Sequence, residues 1–238
     1  MNSIKMAEEM VSVILPVYNE EKVLRRTVES IRDILQKMPY NFEIIISEDG
    51  STDKTAEIAR SLKDETITVL NNVKRKGKGA AIKTASTYAK GNIIIFMDAD
   101  LASHPAHIEQ LVKMLKSDAA IVIASRYHKD SKTRRTPLRY AASKSFNFLV
   151  QSMLGSKLTD HQCGFKAFRK DLVFPLISQI EEKRWFWDTE FLVRAQRSGL
   201  KVVEIPIEWS EAPDSKFRLL EDTYHMAYSL VSFKLKRR

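Results

Sequence analysis

Asp98 and Asp100 stand one residue apart, directly after the very apolar run Asn92–Met97. Two carboxylates held this close repel unless a cation sits between or beside them. Hard oxygen ligands of this kind suit Mg2+ or Mn2+, usually shared with substrate phosphates. A turn with two solvated acids is the competing reading of any Asp-x-Asp pair; the position at a strand end favours the metal. A second group is basic: Lys74, Arg75, Lys76 and Lys78, interrupted by Gly77. A lysine at a helix start attracts a diphosphate, although the Walker spacing Gly-x-x-x-x-Gly-Lys-Ser/Thr is absent. A helix-start loop with solvated lysines is the other reading. Arg134, Arg135 and Arg139 form a further basic cluster, and Lys234, Lys236, Arg237 and Arg238 end the sequence. No nucleophile arrangement stands out. Cys163 has His161 two residues away, but that spacing fixes no geometry, and an inert buried thiol is expected. Trp185-Phe186-Trp187 reads as core or lid.

The elements that must position these groups follow from periodicity. Val11–Leu15, Phe42–Ile46, Ile67–Leu70, Asn92–Met97 and Ala120–Ala124 read as five strands too apolar to have a wet face. Helices are expected at Glu20 to about Met38, Thr52–Leu62, Lys78–Ala89 and Pro105–Lys116. This alternation predicts a parallel sheet covered on both sides, a doubly wound α/β layer. Ligands of such sheets bind beyond the carboxyl ends of the strands. The residues to weigh there are Pro16, Tyr18 and Glu20, then the turn Glu48–Ser51, the Lys/Gly cluster, Asp98 and Asp100, and Ser125–Tyr127. Past Ser125 the alternation breaks. A basic loop is expected to lead to a helix at Leu138–Leu154. A short strand at Gly164–Phe168 follows, then helices at Asp171–Gln179 and Asp188–Ser198 and a strand at Lys201–Ile205. Lys216–Arg238 predicts an amphipathic helix with Phe217, Leu220, Tyr224, Ala227, Tyr228, Val231 and Leu235 as its apolar positions. It reads either as docked on the core or as lying on a membrane surface.

Composition narrows the partners. The 238 residues carry 39 basic and 30 acidic side chains, a formal net charge of +9, with 44% hydrophobic residues, which excludes a disordered chain. The positive balance admits nucleic acid, anionic lipid or a small phosphorylated ligand. No zinc-finger, basic-zipper or RNA-recognition signature is present, so nucleic acid is not expected as a partner. One cysteine excludes an intrachain disulfide and fits a reducing compartment. No apolar run approaches the ~18–20 residues of a membrane span, and Met1–Met10 has no signal-peptide apolar region. The expected location is cytoplasmic, peripheral on the cytoplasmic face of a membrane.

Taken together, Val11–Glu20 (VSVILPVYNE), Ser47–Asp53 (SEDGSTD), Gly77-Lys78-Gly79 and Asp98-Ala99-Asp100 resemble the family 2 glycosyltransferases of the GT-A fold. Ser125-Arg126-Tyr127, the Arg139-x-x-x-Ser143 spacing, Asp160–Lys166 (DHQCGFK) and Trp187–Glu190 (WDTE) are similar to the subgroup of polyprenyl-phosphate sugar synthases. Asp98–Ala102 (DADLA) with Cys163–Lys166 (CGFK) leans toward the dolichyl-phosphate glucose branch. The resemblance spans residues 11–218 and implies a single GT-A domain, a mostly parallel sheet sandwiched by helices. Residues 1–125 would form the nucleotide-sugar half, 126–215 the acceptor half and 216–238 the amphipathic helix. It further implies that Pro16, Tyr18, Glu20 and Asp49 hold the nucleoside, with Lys78 nearby, and that Asp98 and Asp100 bind Mg2+ or Mn2+ and the diphosphate. Arg126, Arg139 and Ser143 would grip the acceptor's phosphate, with Lys216 on a closing loop. Three positions depart from the family pattern. Ala102 stands where the mannose branch often has Gln, which leaves one metal or water contact unassigned; Glu48 replaces the usual first acid of the Asp-Asp-Gly-Ser turn; and Pro213-Asp214 lacks an arginine that some members carry.

The chemistry implied is an inverting transfer of a hexose, UDP-glucose-type favoured, to dolichyl or polyprenyl phosphate. A nucleotide diphosphate leaves poorly until a divalent cation neutralises its developing charge. A phosphate monoester is largely ionised at pH 7, with its second pKa near ~6, and requires no general base. A saccharide acceptor would require one, for which Asp188 or Glu190 could serve. A non-catalytic basic module that binds nucleic acid is the alternative of another class.

Overall fold

The computed structural model describes residues 9–211 and 219–236. In chain order the elements are β1 (Met10–Val17), α1 (Leu24–Leu35), β2 (Asn41–Asp49), α2 (Thr55–Ser61), β3 (Ile67–Asn72), α3 (Lys78–Tyr88), β4 (Ile93–Met97) and α4 (His107–Leu115). Then come β5 (Ile121–Ser125), β6 (Lys132–Arg134), α5 (Pro137–Leu154), β7 (Phe165–Arg169), α6 (Lys170–Ser178), α7 (Trp187–Arg197), β8 (Val202–Pro206), β9 (Glu208–Ser210) and α8 (Leu219–Leu235). Among the described residues the main sheet has seven strands in the order β3-β2-β1-β4-β7-β5-β8. β1 pairs in parallel with both β2 and β4, and β5 with β8.

The strands read as unbroken apolar runs because both faces are covered. Val11, Val13 and Leu15 of β1 join one core together with Val28 and Ile31 of α1 and Leu111 of α4. Ile14, between them, points to the opposite core with Ile82 of α3 and Phe191 of α7. β4 divides the same way, with Ile93, Ile95 and Met97 on one side and Ile94 and Phe96 on the other. Small residues let α3 approach closely: a Cβ on Gly79 would fall 2.4 Å from the Trp187 Cβ.

The sheet is mostly parallel, as expected, with β7 alone running antiparallel between β4 and β5. Other expectations are corrected. β2 continues through Glu48 and Asp49, both buried, where a turn was expected. The basic loop after β5 contains β6, which pairs in parallel with β9. The expected apolar positions of α8 are the wrong stripe: Tyr224, Ala227, Tyr228, Val231 and Leu235 are exposed. Met226, Leu230 and Phe233 dock instead, in a core with Phe146 and Val150 of α5 and Phe186. The expected positions Phe217 and Leu220, like Lys216, lie among residues whose side chains are outside the described set. No described helix is long and apolar enough to cross a membrane.

Candidate active site

A cleft opens at the carboxyl ends of β1, β2, β4 and β5. It is lined by Pro16, Tyr18, Glu20, Asp49, Lys78, Asp98, Asp100, Arg126, Arg139 and Ser143, so every expected site residue among the described residues meets there. β1 delivers Pro16 and Tyr18, and the backbone oxygen of Glu20 receives the first amides of α1, from Val23 and Leu24. The Arg75 guanidinium lies 3.9 Å from the centre of the Tyr18 ring. Asp49 closes the edge of this end. Its carboxylate accepts from the Lys76 and Gly77 amides at 2.8 and 2.7 Å and from Asn72 Nδ2 at 3.2 Å. Gly77 has φ +107°, a conformation that favours glycine. Asp49 therefore shapes the loop that starts α3 and carries Lys78 into the cleft.

Asp98 and Asp100 follow β4 as expected. Leu101 takes a left-handed backbone, φ 56°, and the Ala102 amide donates to Asp100 Oδ1 at 3.0 Å. Burial, and then the neighbouring Asp98 charge, push the Asp100 carboxyl up to about 6. Lys78 Nζ lies 2.8 Å from Asp98 Oδ1 and 3.4 Å from Asp188 Oδ2. Burial opposes its charge, yet Asp188 and then Asp98 hold it above the ordinary lysine range. The antiparallel strand explains the glycine next to this pair. β7 starts where β4 ends, the Asp98 amide donates to Gly164 O at 3.1 Å, and a Cβ on Gly164 would fall 1.9 Å from Asp98 Oδ2.

The residues present fit a hard divalent cation. Two half-buried carboxylates share one lip of the cleft, and burial and the Asp98 charge together raise the Asp100 carboxyl, which a cation between them would relieve. Mg2+ and Mn2+ are commonly held by one or two carboxylates, with substrate phosphates completing the shell. Groups of three or more metal-type side chains do not occur among the described residues, so any cation here would take the rest of its ligands from substrate and water.

At the other end the residues expected near the acceptor's phosphate also have partners within the protein. Arg126 is bound by Asp160 through its amide, Nε and Nη2 at 2.9, 2.8 and 2.8 Å. Asp160 is fully buried, and Arg126, ahead of other contacts, holds its carboxyl well below the usual range against the cost of burial. Arg139 pairs with Glu211 at 2.7 Å. Ser143 Oγ meets Tyr127 Oη and receives Arg135 Nη1 at 3.0 Å. Trp185 and Trp209 also line the cleft, whereas Trp187 is fully buried and stacks on Phe191. Cys163 is buried, and burial pushes its thiol up to about 12, in keeping with an inert group.

The sequence assigns Lys166 no role, because it stands among the apolar residues of Phe165–Phe168. It is fully buried, donates to Cys163 O, and reaches Asp188 Oδ1 at 2.6 Å. Arg75 and Arg135 were visible only as members of basic clusters. Their single signal was neighbourhood in sequence, which says nothing of the rings they meet.

The sequence model of glycosyl transferase family 2 matches residues 12–174. The chain belongs to that family. This family 2 glycosyltransferase is 40% identical over 228 residues to the glycosyltransferase AglD of Haloferax volcanii, a match covering 93% of this chain and 36% of that relative. The chain thus spans about a third of AglD's length. It is 35% identical to the dolichyl-phosphate beta-glucosyltransferase ALG5C of Trichomonas vaginalis, over 96% of this chain and 72% of that protein. The dolichyl-phosphate beta-glucosyltransferase of Homo sapiens is 30% identical, over 96% and 76%. Among solved structures, glucosyl-3-phosphoglycerate synthase from Mycobacterium tuberculosis, in complex with Mn2+, UDP and phosphoglyceric acid, aligns with a TM-score of 0.72. That match has 20% identity and covers 96% of this chain and 78% of that one. The family 2 glycosyltransferase described here has that GT-A fold.

Proposed function

We propose that this glycosyltransferase moves a hexose, of the UDP-glucose type, from a nucleotide sugar to the phosphate of dolichyl or another polyprenyl phosphate. The observation that carries the reading is that Asp188 and Glu190, the two candidates for a saccharide acceptor's base, are both engaged by cations within the protein. Asp188 is held between Lys166 and Lys78. Glu190 accepts from the Glu181 and Glu182 amides and from Arg194 Nε at 2.6 Å. An ionised phosphate acceptor requires no such base. The names of the dolichyl-phosphate beta-glucosyltransferase relatives support the same donor and acceptor.

In this reading Pro16, Tyr18, Glu20 and Asp49 frame the nucleoside, and Lys78 lies beside the diphosphate. Asp98 and Asp100 would hold Mg2+ or Mn2+, which would supply charge neutralisation for the departing nucleoside diphosphate. The basic groups after β5 hold the acceptor's phosphate oxygens in line with the anomeric carbon. Attack from that side inverts the centre and gives a β-linked product from an α-linked donor.

The lipid carrier would be met at a membrane surface, on the cytoplasmic face. α8 supports this with its second stripe, since Tyr224 and Tyr228 are 76% and 65% exposed beside Val231 and Leu235. Aromatic and basic side chains suit the headgroup layer. Lys234 and Lys236 do less than the sequence implied: Lys234 donates to Met153 O at 2.8 Å and Lys236 pairs with Glu181 at 2.6 Å. Arg237 and Arg238 lie outside the described residues. Flotation with anionic vesicles is expected to weaken as salt rises; failure to float at any salt concentration overturns the membrane part.

The decisive experiment incubates purified protein with Mn2+ or Mg2+, a short polyprenyl phosphate and a panel of labelled sugar nucleotides, and counts label in the organic phase. Label from UDP-glucose is expected. No transfer from any donor, with nucleotide binding retained by calorimetry, overturns the lipid-phosphate acceptor and returns the saccharide acceptor.

A further inference from the structure

Lys166 stands on β7 in the middle of the sheet, opposite Phe96 of β4 and Ile123 of β5. Phe168, two residues on and so on the same face, packs in the apolar core with Ile82 of α3 and Phe191 of α7. An ammonium in that layer is costly. It is fully buried, where a well-packed apolar side chain is often as stable or more so. What the charge supplies is a fixed geometry. Its Nζ donates to Cys163 O and to Asp188 Oδ1 at 2.6 Å. Asp188, in the first turn of α7, lines the cleft, and its other oxygen lies 3.4 Å from Lys78 Nζ. Lys78 Nζ in turn lies 2.8 Å from Asp98 Oδ1. Four charges of alternating sign thus run from the core to the lip. Unopposed, Asp188 could turn both oxygens to Lys78 and draw it from Asp98; Lys166 occupies one of them. The Ala80 amide donates to Lys183 O at 3.1 Å, so one of the open amides at the start of α3 is taken and the Lys78 side chain is the charged donor there.

We infer that Lys166 and Asp188 are positioning residues for the donor: Lys166 pins Asp188, and Asp188 holds the Lys78 ammonium at the lip, against Asp98, where a diphosphate would meet it. The inference rests on the nucleotide-sugar reading above. Being fully buried, Lys166 touches no substrate and acts through Lys78.

The test is a double-mutant cycle on the full chain between Lys166→Met and Lys78→Met, with Asp188→Asn beside it. Calorimetric titration with UDP and with inorganic pyrophosphate, each in Mg2+, is the readout. Lys166→Met and Asp188→Asn are each expected to weaken both ligands about fivefold or more, whereas on the Lys78→Met background either change costs less than about twofold. In the transfer assay the donor KM is expected to rise while the acceptor KM stays within about twofold of wild type. Asp188→Asn keeps the shape of the side chain and an acceptor for Lys166, so its own cycle with Lys78→Met decides if Lys166→Met does not fold. Affinities within twofold of wild type in both Lys166→Met and Asp188→Asn overturn the inference. So do losses that simply add to that of Lys78→Met, which would reduce the pair to a part of the core, and equal rises of donor and acceptor KM. Unchanged UDP binding with lost turnover in Asp188→Asn also overturns it, and makes Asp188 a base. A wild type that binds pyrophosphate but not UDP overturns the nucleotide-sugar reading alone, and the pyrophosphate cycle then decides the inference; a wild type that binds neither overturns both.

Discussion

Replacing Asp100 with alanine is expected to lower turnover by about 10^3-fold or more while leaving the protein folded. A loss of that size corresponds to about 4 kcal/mol of transition-state stabilisation, within reach of a cation that neutralises a departing diphosphate. The stability readout separates this from structural damage. Asp100 is half-buried beside the like charge of Asp98, so its removal relieves repulsion, and the melting temperature is expected to stay level or rise. Such opposition between function and stability is common where a site concentrates like charge. Gly164→Ala reaches the same end by another route, because its Cβ would occupy the place of Asp98 Oδ2. Both carboxylates remain in that variant, yet metal-dependent nucleotide binding by calorimetry is expected to weaken. Wild-type turnover in Asp100→Ala would remove the metal pair from the mechanism.

Why Asp98 and Asp100 were legible, and Lys166 was not, is a matter of what burial does to a sequence. A strand covered on both faces must be apolar throughout, so Ile93–Met97 announces itself and the polar residues that follow announce its lip. The same logic located Pro16, Tyr18 and Arg126. It fails where a charge is buried with a distant partner. Lys166 meets Asp188 across 22 residues and Arg126 meets Asp160 across 34. Arg126 therefore reads as a free cation, and nothing near Lys166 in the sequence assigns it a partner. The antiparallel course of β7 was hidden for a related reason: its hydrogen bonds run to β4 and β5, and no local turn declares the direction. α8 was misread because it carries two apolar stripes. Hydrophobicity alone ranks Tyr224, Tyr228 and Leu235 with Met226, Leu230 and Phe233, but shape complementarity with α5 decides which stripe docks.

Asp160→Ala is the substitution expected to cost most in stability. The Asp160 carboxylate accepts from Arg126 through its amide, Nε and Nη2, and from the Gln162 and Cys163 amides at 3.1 Å each. Truncation strands a buried guanidinium and frees the loop that carries Gly164 to Asp98. Breaking a buried pair from one side typically costs about 3–5 kcal/mol, because the remaining charge is uncompensated. Chemical denaturation is expected to show a loss in that range, and Arg126→Met on the Asp160→Ala background is expected to recover part of it, since it removes the stranded charge. Two pH windows distinguish this pair from its neighbour. Asp160 is held below its ordinary value, so its contribution is complete at neutral pH and disappears only as pH falls below about 4 toward the folded-state value. His161, buried between Asn147 and Ser156, is lowered to about 4, chiefly by burial. An unfolded chain protonates this histidine below about 6.5 while the folded chain resists until about 4, so stability falls across that interval by about 3 kcal/mol. His161→Gln is expected to flatten the decline between pH 6.5 and 4 and leave the steeper acid limb in place. A decline of unchanged slope in that variant would assign it to other groups and make His161 a spectator in the pH dependence of stability.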